Sequence, residues 1–297
     1  MNRRALIGSL GALLFSAGAA IGVSRLAAKR PPPGAGKRLV SLTPAITETV
    51  LELGGAELLL GVSDYCKLPA GVKLPRLGSS LTPNLEGIAA LRPSLILSDG
   101  SAAAKSKELG AIGRTEVLPW LTLTEVTESI RRIGQLLDQP LGGDALAQRL
   151  KMRLSKEAPA DAPRVLLLMS YDPDRPAELW FIRRNSLHGA ALAAAGARNA
   201  VSYDVPGLPR LSVEELIRID PDQVFIIPPA GASLEARRRM LTAFNALSPL
   251  RAVKEARVGV LSGATQSVGP SILELVTSVA RMLQKMSGPR PNGGFVE

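Results

Sequence analysis

Asn84-Leu-Glu86-Gly-Ile-Ala-Ala-Leu-Arg-Pro93-Ser-Leu-Ile-Leu97 and Ser212-Val-Glu214-Glu-Leu-Ile-Arg-Ile-Asp-Pro221-Asp-Gln-Val-Phe225 are two versions of one pattern. In each, a residue able to cap a helix stands two before a glutamate, and a proline follows that glutamate by seven positions, ahead of an apolar run. Asn and Ser offer a side-chain acceptor to the first turn of a helix. Proline ends a helix, because it has no N–H to give and clashes with the preceding turn. Each segment is therefore expected to be a short helix followed at once by a strand. A basic residue opening an apolar strand lies 48 positions before Glu86, at Arg38, and 50 before Glu214, at Arg164. Order and spacing agree in both halves, so two related α/β lobes are expected.

Outward from these segments the same alternation continues. Residues 38–43 read as a strand, 44–53 as a helix carrying Ile46, Val50, Leu51 and Leu53 and stopped by Gly54-Gly55, and 58–63, 94–98 and 116–118 as further strands. Residues 124–158 read as helical, with Val126, Ile130, Ile133 and Leu137 in one stripe and Leu146, Leu150 and Leu154 in another. Breaks are expected at Gln139-Pro140 and Gly142-Gly143. The helix over 144–157 would be about 20 Å long at 1.5 Å per residue, enough to join two lobes. Residues 164–169 then repeat the opening strand, and 186–196 repeat a helix stopped by glycine. The expectation is two Rossmann-like lobes, 38–138 and 161–287, joined by a single long helix within 139–160. Residues 288–297 are expected as a tail. Sheets of this class open the carboxyl ends of their strands toward a crevice, so a ligand cleft is expected between the lobes.

Composition narrows the chemistry. The 297 residues are 46% hydrophobic and 21% charged, the make-up of a folded globular protein. One Cys and one His exclude an internal disulfide, a four-ligand Cys/His zinc site and catalysis by two histidines. The net charge is +10, but seven basic residues, Arg3 to Arg38, precede the first acid, Glu48. From residue 39 onward 29 basic residues face 26 acids, with nine aromatics after Phe15, which argues against a nucleic-acid partner. Residues 1–30 read as an export signal or N-terminal anchor: Arg3-Arg4, then a 19-residue, mostly apolar run over 5–23, then Arg25, Lys29 and Arg30. Twin-arginine and general export both fit this leader. Cleavage near Ala17-Gly18-Ala19 would free the chain; without it the run is long enough to anchor. No Cys stands near its end for lipid attachment. Residues 31–37, rich in Pro and Gly, read as a linker. The expected compartment is the periplasm.

Leu39-Val-Ser-Leu-Thr-Pro-Ala-Ile-Thr-Glu48, Gly61-Val-Ser-Asp-Tyr65, residues 84–96 and Ser212-Val-Glu-Glu215, in that order, resemble the helical-backbone (class III) periplasmic binding proteins of ABC importers. That family serves cobalamin, haem and ferric siderophores, and the look is nearest to its cobalamin binders. The resemblance implies a non-catalytic protein without an intrinsic cofactor or metal. It would hold a small-molecule metal chelate between its lobes and deliver it to a permease dimer in the inner membrane. By position, Glu86 and Glu214 fall where the family docks onto permease arginines. Read from the residues alone, each sits near the positive end of a helix, which is worth about 0.3 to 1 kcal/mol to a carboxylate, and Ser212 with Glu215 makes a capping box.

The resemblance also places Tyr65 and Trp180 at ligand-contacting aromatics, suited to stacking on a large flat ligand. Asp99 and Gln266 are expected to supply polar contacts, and Arg183, with Arg184, is read either as meeting ligand carboxylates by paired hydrogen bonds or as part of a solvated basic face. Cys66, beside Tyr65, and His188, at a helix start, are read either as packing residues or as ligands to a metal centre. Ser80 and Leu208 stand where cobalamin binders carry tryptophans, and Gly263 and Ser267 where they carry an acid and an arginine. Cobalamin, haem and siderophore therefore all stay open. An anchored scavenger or sensor is the alternative. A hydrolase is less well supported, since Ser186 and His188 do not face each other at their spacing, and no Gly-x-Ser-x-Gly elbow, phosphate loop or dinucleotide fingerprint is present.

Overall fold

The computed structural model describes residues 36–176, 178–204, 209–247, 249–262, 268–288 and 293–297. The first lobe contains β1 (Leu39–Ser41), α1 (Pro44–Glu52), β2 (Leu59–Val62), α2 (Leu85–Leu91), β3 (Leu95–Asp99), α3 (Ser106–Ile112) and β4 (Arg114–Leu118). Its strands are all parallel, in the order β2-β1-β3-β4. Then come α4 (Leu123–Leu136) and α5 (Pro140–Leu154). The second lobe contains β5 (Arg164–Met169), β6 (Leu179–Trp180), α6 (Leu187–Ala194), β7 (Arg198–Asn199), β8 (Arg210–Leu211), α7 (Val213–Ile219), β9 (Gln223–Ile227), α8 (Leu234–Asn245), α9 (Arg251–Lys254), β10 (Val258–Val260), α10 (Ile272–Met286) and β11 (Phe295–Val296). Its main sheet is parallel, in the order β11-β10-β9-β5-β7, and β6 and β8 pair antiparallel as a separate ribbon.

The repeated pattern is a joint between helix and strand. Asn84 accepts the N–H of Gly87 to start α2, and Ser212 and Glu215 cap α7 reciprocally. Both helices end on a residue in the left-handed region, Arg92 (φ 49) and Asp220 (φ 42), immediately before the proline. That ending leaves carbonyls of the last turn unpaired, and an arginine from the neighbouring strand takes them. Arg38 donates to the carbonyls of Leu91 (2.7 Å) and Arg92 (3.2 Å). Arg164 donates to those of Ile219 (2.7 Å) and Asp220 (3.3 Å). The backbone N–H of Arg38 goes to Ser94 Oγ (2.9 Å), and that of Arg164 to Asp222 Oδ2 (2.7 Å). The spacing from Arg38 to Glu86 and from Arg164 to Glu214 is therefore the spacing of a clamp.

Alternation along the strands sends successive side chains to opposite faces. Val40, Leu42, Ile88, Ile96 and Leu109 fill the outer side of the first sheet; Leu166, Leu168, Val224, Ile226 and Phe244 fill one side of the second. The other faces meet one continuous core. It runs from Leu39, Ile46 and Leu97 through Ile130 and Ile133 of α4 and Leu146 and Leu150 of α5 to Leu167, Phe225 and Met282. The two lobes are thus packed on shared helices.

Two expectations are corrected. The joining helix begins at Pro140, not at 144, and ends at Leu154, not 157; Gly142 and Gly143 lie inside it. Proline is tolerated at the first helical position, where its missing N–H would be unpaired anyway. A Cβ on Gly143 would sit 3.0 Å from Gly134 Cα, and one on Gly134 would sit 2.8 Å from Gly143 Cα. The glycines let the α4 and α5 backbones touch, which outweighs their poor helix propensity of about 1 kcal/mol. The expected tail is also partly a strand: Phe295 and Val296 pair with Gly259 and Val260, where parallel ladder bonds replace hydration.

Candidate functional site

The carboxyl ends of β4 and β5 look onto a cavity of about 440 Å³, within the range of roughly 300 to 1,000 Å³ usual for ligand sites. Trp120 and Leu121, just after β4, line it from the first lobe. Met169 at the end of β5, Trp180 in β6 with Phe181 and Ile182, and Val268 ahead of α10 line it from the second. The polar lining is Arg183, Ser186 and His188. Ser186 caps α6, accepting from the Gly189 N–H (3.1 Å) and donating to the Arg183 carbonyl (2.8 Å). His188 is buried in the first turn of α6. Trp180 pairs with Arg210 across the ribbon, and the Arg210 guanidinium lies 5.7 Å from its ring centroid, within the reach of a cation–π attraction.

The floor of the cavity is stitched across the lobes. The Trp120 indole N–H donates to the Val268 carbonyl (2.9 Å), and the Leu187 N–H donates to the Leu121 carbonyl (2.9 Å). Trp120 itself is buried. An apolar, two-tryptophan wall with one guanidinium suits a flat ligand that carries an anionic edge.

Trp180 and Arg183 are therefore brought together in this cavity. Tyr65 and Asp99 are not among its lining residues. Tyr65 stands on the loop after β2 with 74% of its surface exposed. Asp99 ends β3, and its carboxylate accepts the Ser101 N–H (3.0 Å) and the Ser101 hydroxyl. Gln266, with Leu208, Gly263 and Ser267, lies outside the described residues. Cys66 is buried, with Sγ 3.0 Å from both Thr47 Oγ1 and Ser63 Oγ. It packs among hydroxyls of the first lobe. Arg184 pairs with Asp204 at 2.8 Å. Among the described residues no three His, Cys, Asp or Glu side chains gather as a metal site.

Glu86 and Glu214 are both exposed, in the first turns of α2 and α7, and neither makes an ion pair among the described residues. Glu214's own backbone N–H and the Ser212 hydroxyl hold its carboxyl below the usual range. Sequence reasoning missed Trp120, Leu121, Met169, Phe181 and Val268. Trp120 was within reach: it follows a strand end directly, in Leu118-Pro119-Trp120. Val268 carried no signal, because its role depends on a contact with Trp120, 148 residues away.

A family model described as periplasmic binding protein matches residues 39–265, and the chain belongs to that family. Among its relatives is an uncharacterised ABC transporter substrate-binding lipoprotein of Bacillus subtilis, 26% identical over 261 residues, covering 83% of this chain and 80% of the relative. The vitamin B12-binding protein of Pectobacterium atrosepticum is 27% identical over 210 residues, covering 66% and 72%. The crystal structure of a periplasmic haem-binding protein from Pseudomonas aeruginosa superposes with a TM-score of 0.66 at 26% identity, covering 87% and 97%. These relatives are named as binding proteins.

Proposed function

We propose that this protein is the exported, non-catalytic binding component of an ABC importer and captures a large, flat metal chelate between its lobes. The observation that carries this reading is the inter-lobe cavity, with Trp120, Trp180 and Arg183 in its lining. Vitamin B12 and haem, for which these relatives are named, are macrocyclic metal chelates with broad apolar faces and polar or anionic edges, and the cavity offers matching chemistry. A corrinoid or a haem is thus favoured. A ferric siderophore, with a more polar and charged surface, is the second choice for walls this apolar. Tyr65, exposed after β2, would close over the ligand from the rim, with Asp99 and Gln266 as polar contacts. Glu86 and Glu214, one on each lobe at the same place in the repeat, would set the register on a permease dimer by charge complementarity.

Residues 1–30 would direct export; among the described residues no helix is long and apolar enough to cross a membrane. The test is a visible-absorption and tryptophan-quenching titration with cyanocobalamin, haemin and a ferric siderophore, followed by recovery of the ligand. Saturable binding of one of them, with the ligand returned unchanged, is expected. Binding of none would overturn the ligand class, and chemical conversion would overturn the non-catalytic role. Uptake lost in Glu86→Ala/Glu214→Ala with affinity retained is the outcome expected of a docking pair.

A further inference from the structure

α10 has an unusual start. Its N-cap residue, Ser271, makes no side-chain cap of its own. Instead the Ser271 N–H and hydroxyl both donate to the Glu48 carboxylate, the hydroxyl at 3.0 Å. Glu48 belongs to α1 in the opposite lobe. The 15-residue α10 is thus capped from outside its own lobe, with a carboxylate at the positive end of its dipole. Gly269 makes the approach possible, since a Cβ there would run into the Glu48 carboxylate and lie 3.2 Å from Ala45 Cα. One residue earlier, Val268 lines the ligand cavity and accepts the Trp120 indole N–H. The segment from Val268 to Ser271 is held by the first lobe at both ends.

We propose that Glu48 is the positioning residue of the cleft: it grips the start of α10 and thereby holds Val268 and Trp120 in the arrangement that the ligand meets. The role as a ligand cleft rests on the function proposed above; the grip itself does not. Glu48 sits where its charge is poorly favoured. Burial pushes its carboxyl above the usual range, against the lowering effect of the two Ser271 bonds. The acids that face it also raise it: Glu52, one turn on and paired with Arg149 of α5, and Glu274, in the first turn of α10. For a carboxyl raised by folding, any stabilising contribution is complete below the unfolded value, near 4.5, and is lost as pH rises through the folded one. Glu48→Gln is therefore expected to leave global stability at pH 7.5 unchanged or slightly raised. A residue that served only stability would show a loss.

The test uses the two tryptophans of the chain, both of which line the cavity. In full-length Trp180→Phe protein without ligand, all tryptophan emission comes from Trp120. Lowering the pH from 8 to 4 is expected to give a red-shifting transition as Glu48 takes up a proton and its hold on Ser271 weakens. Adding Glu48→Gln should abolish the transition and leave the emission at the red position at every pH, and Ser271→Ala should give an intermediate position. With Trp180 restored, Glu48→Gln should release bound haemin or cyanocobalamin several-fold faster at pH 7.5. A transition that persists in Glu48→Gln would belong to another group, His188 of the cavity wall first, and would overturn the proposal. So would emission that ignores pH in both proteins. If neither probe binds but the transition follows Glu48, the ligand class fails while the positioning role stands.

Discussion

The joints at residues 84–97 and 212–225 have the same geometry and different chemistry. Both use a capped first turn, a left-handed last residue, a proline and an arginine that collects the last carbonyls. In the first lobe the partner of the arginine N–H is the neutral hydroxyl of Ser94; in the second it is the carboxylate of Asp222. Arg251 adds ion pairs to Asp222 (2.7 Å) and Asp220 (3.1 Å) that the first lobe lacks. Burial by itself would raise the Asp222 carboxyl, but the Arg164 N–H and the Arg251 guanidinium outweigh it and hold it below the usual range. Backbone geometry thus constrains where the clamp residues stand. Their charge is free to differ, and the second joint is the one that senses acid.

The largest expected effect tests whether the two lobes behave as one unit. Gly134→Ala would drive a Cβ to within 2.8 Å of the Gly143 backbone, and overpacking of that kind costs about 3 kcal/mol. A single unfolding transition shifted to lower urea is expected; two separated transitions would show that the lobes unfold independently. Next, Asp222→Ala strands the Arg164 N–H and part of Arg251, at about 2 kcal/mol, against about 1 kcal/mol for Ser94→Ala. Equal losses in urea unfolding would erase the distinction between the joints.

The pH dependence sharpens the same pair. A carboxyl lowered by folding contributes stability that is present above its unfolded value, near 3.8, and lost as pH falls through the folded one. The gap between unaltered protein and Asp222→Asn should therefore narrow below about pH 4, as carboxylates protonate, while Ser94→Ala should show a pH-independent gap. The smallest effects are at the caps. Ser212→Ala and Asn84→Ala should each cost about 1 kcal/mol, with Ser212 the smaller because the Ser212 backbone N–H still donates to the Glu215 carboxylate (2.8 Å) after the change. A larger loss at Ser212 would reverse that order.

Much of the fold was legible because it is written locally. Cap, proline and apolar run lie within 14 residues of each other, and the strand and helix alternation follows from periodicities of two and 3.6. Gly142-Gly143 misled, since propensity describes a helix alone and Gly143 answers to a second backbone, that of Gly134. Phe295–Val296 is too short for any period to register. In the site, Trp180 is singled out through family resemblance and Arg183 through its charge, while Trp120 is passed over although it stands at a strand end. Val268 and Glu48 act through contacts across 148 and 223 residues, and no local pattern carries that information.

The unbroken core beneath both walls has a mechanical consequence. Its side chains interdigitate at the density of a protein interior, which resists small changes in spacing, so parting the walls would mean tearing apolar contact along α4 and α5. On the function proposed above, such a container would have little spring to store the work of closing or to return on opening. A guest's stay would then be set by the stickiness of the walls, and hurrying it out would take force applied from outside to both lobes at once.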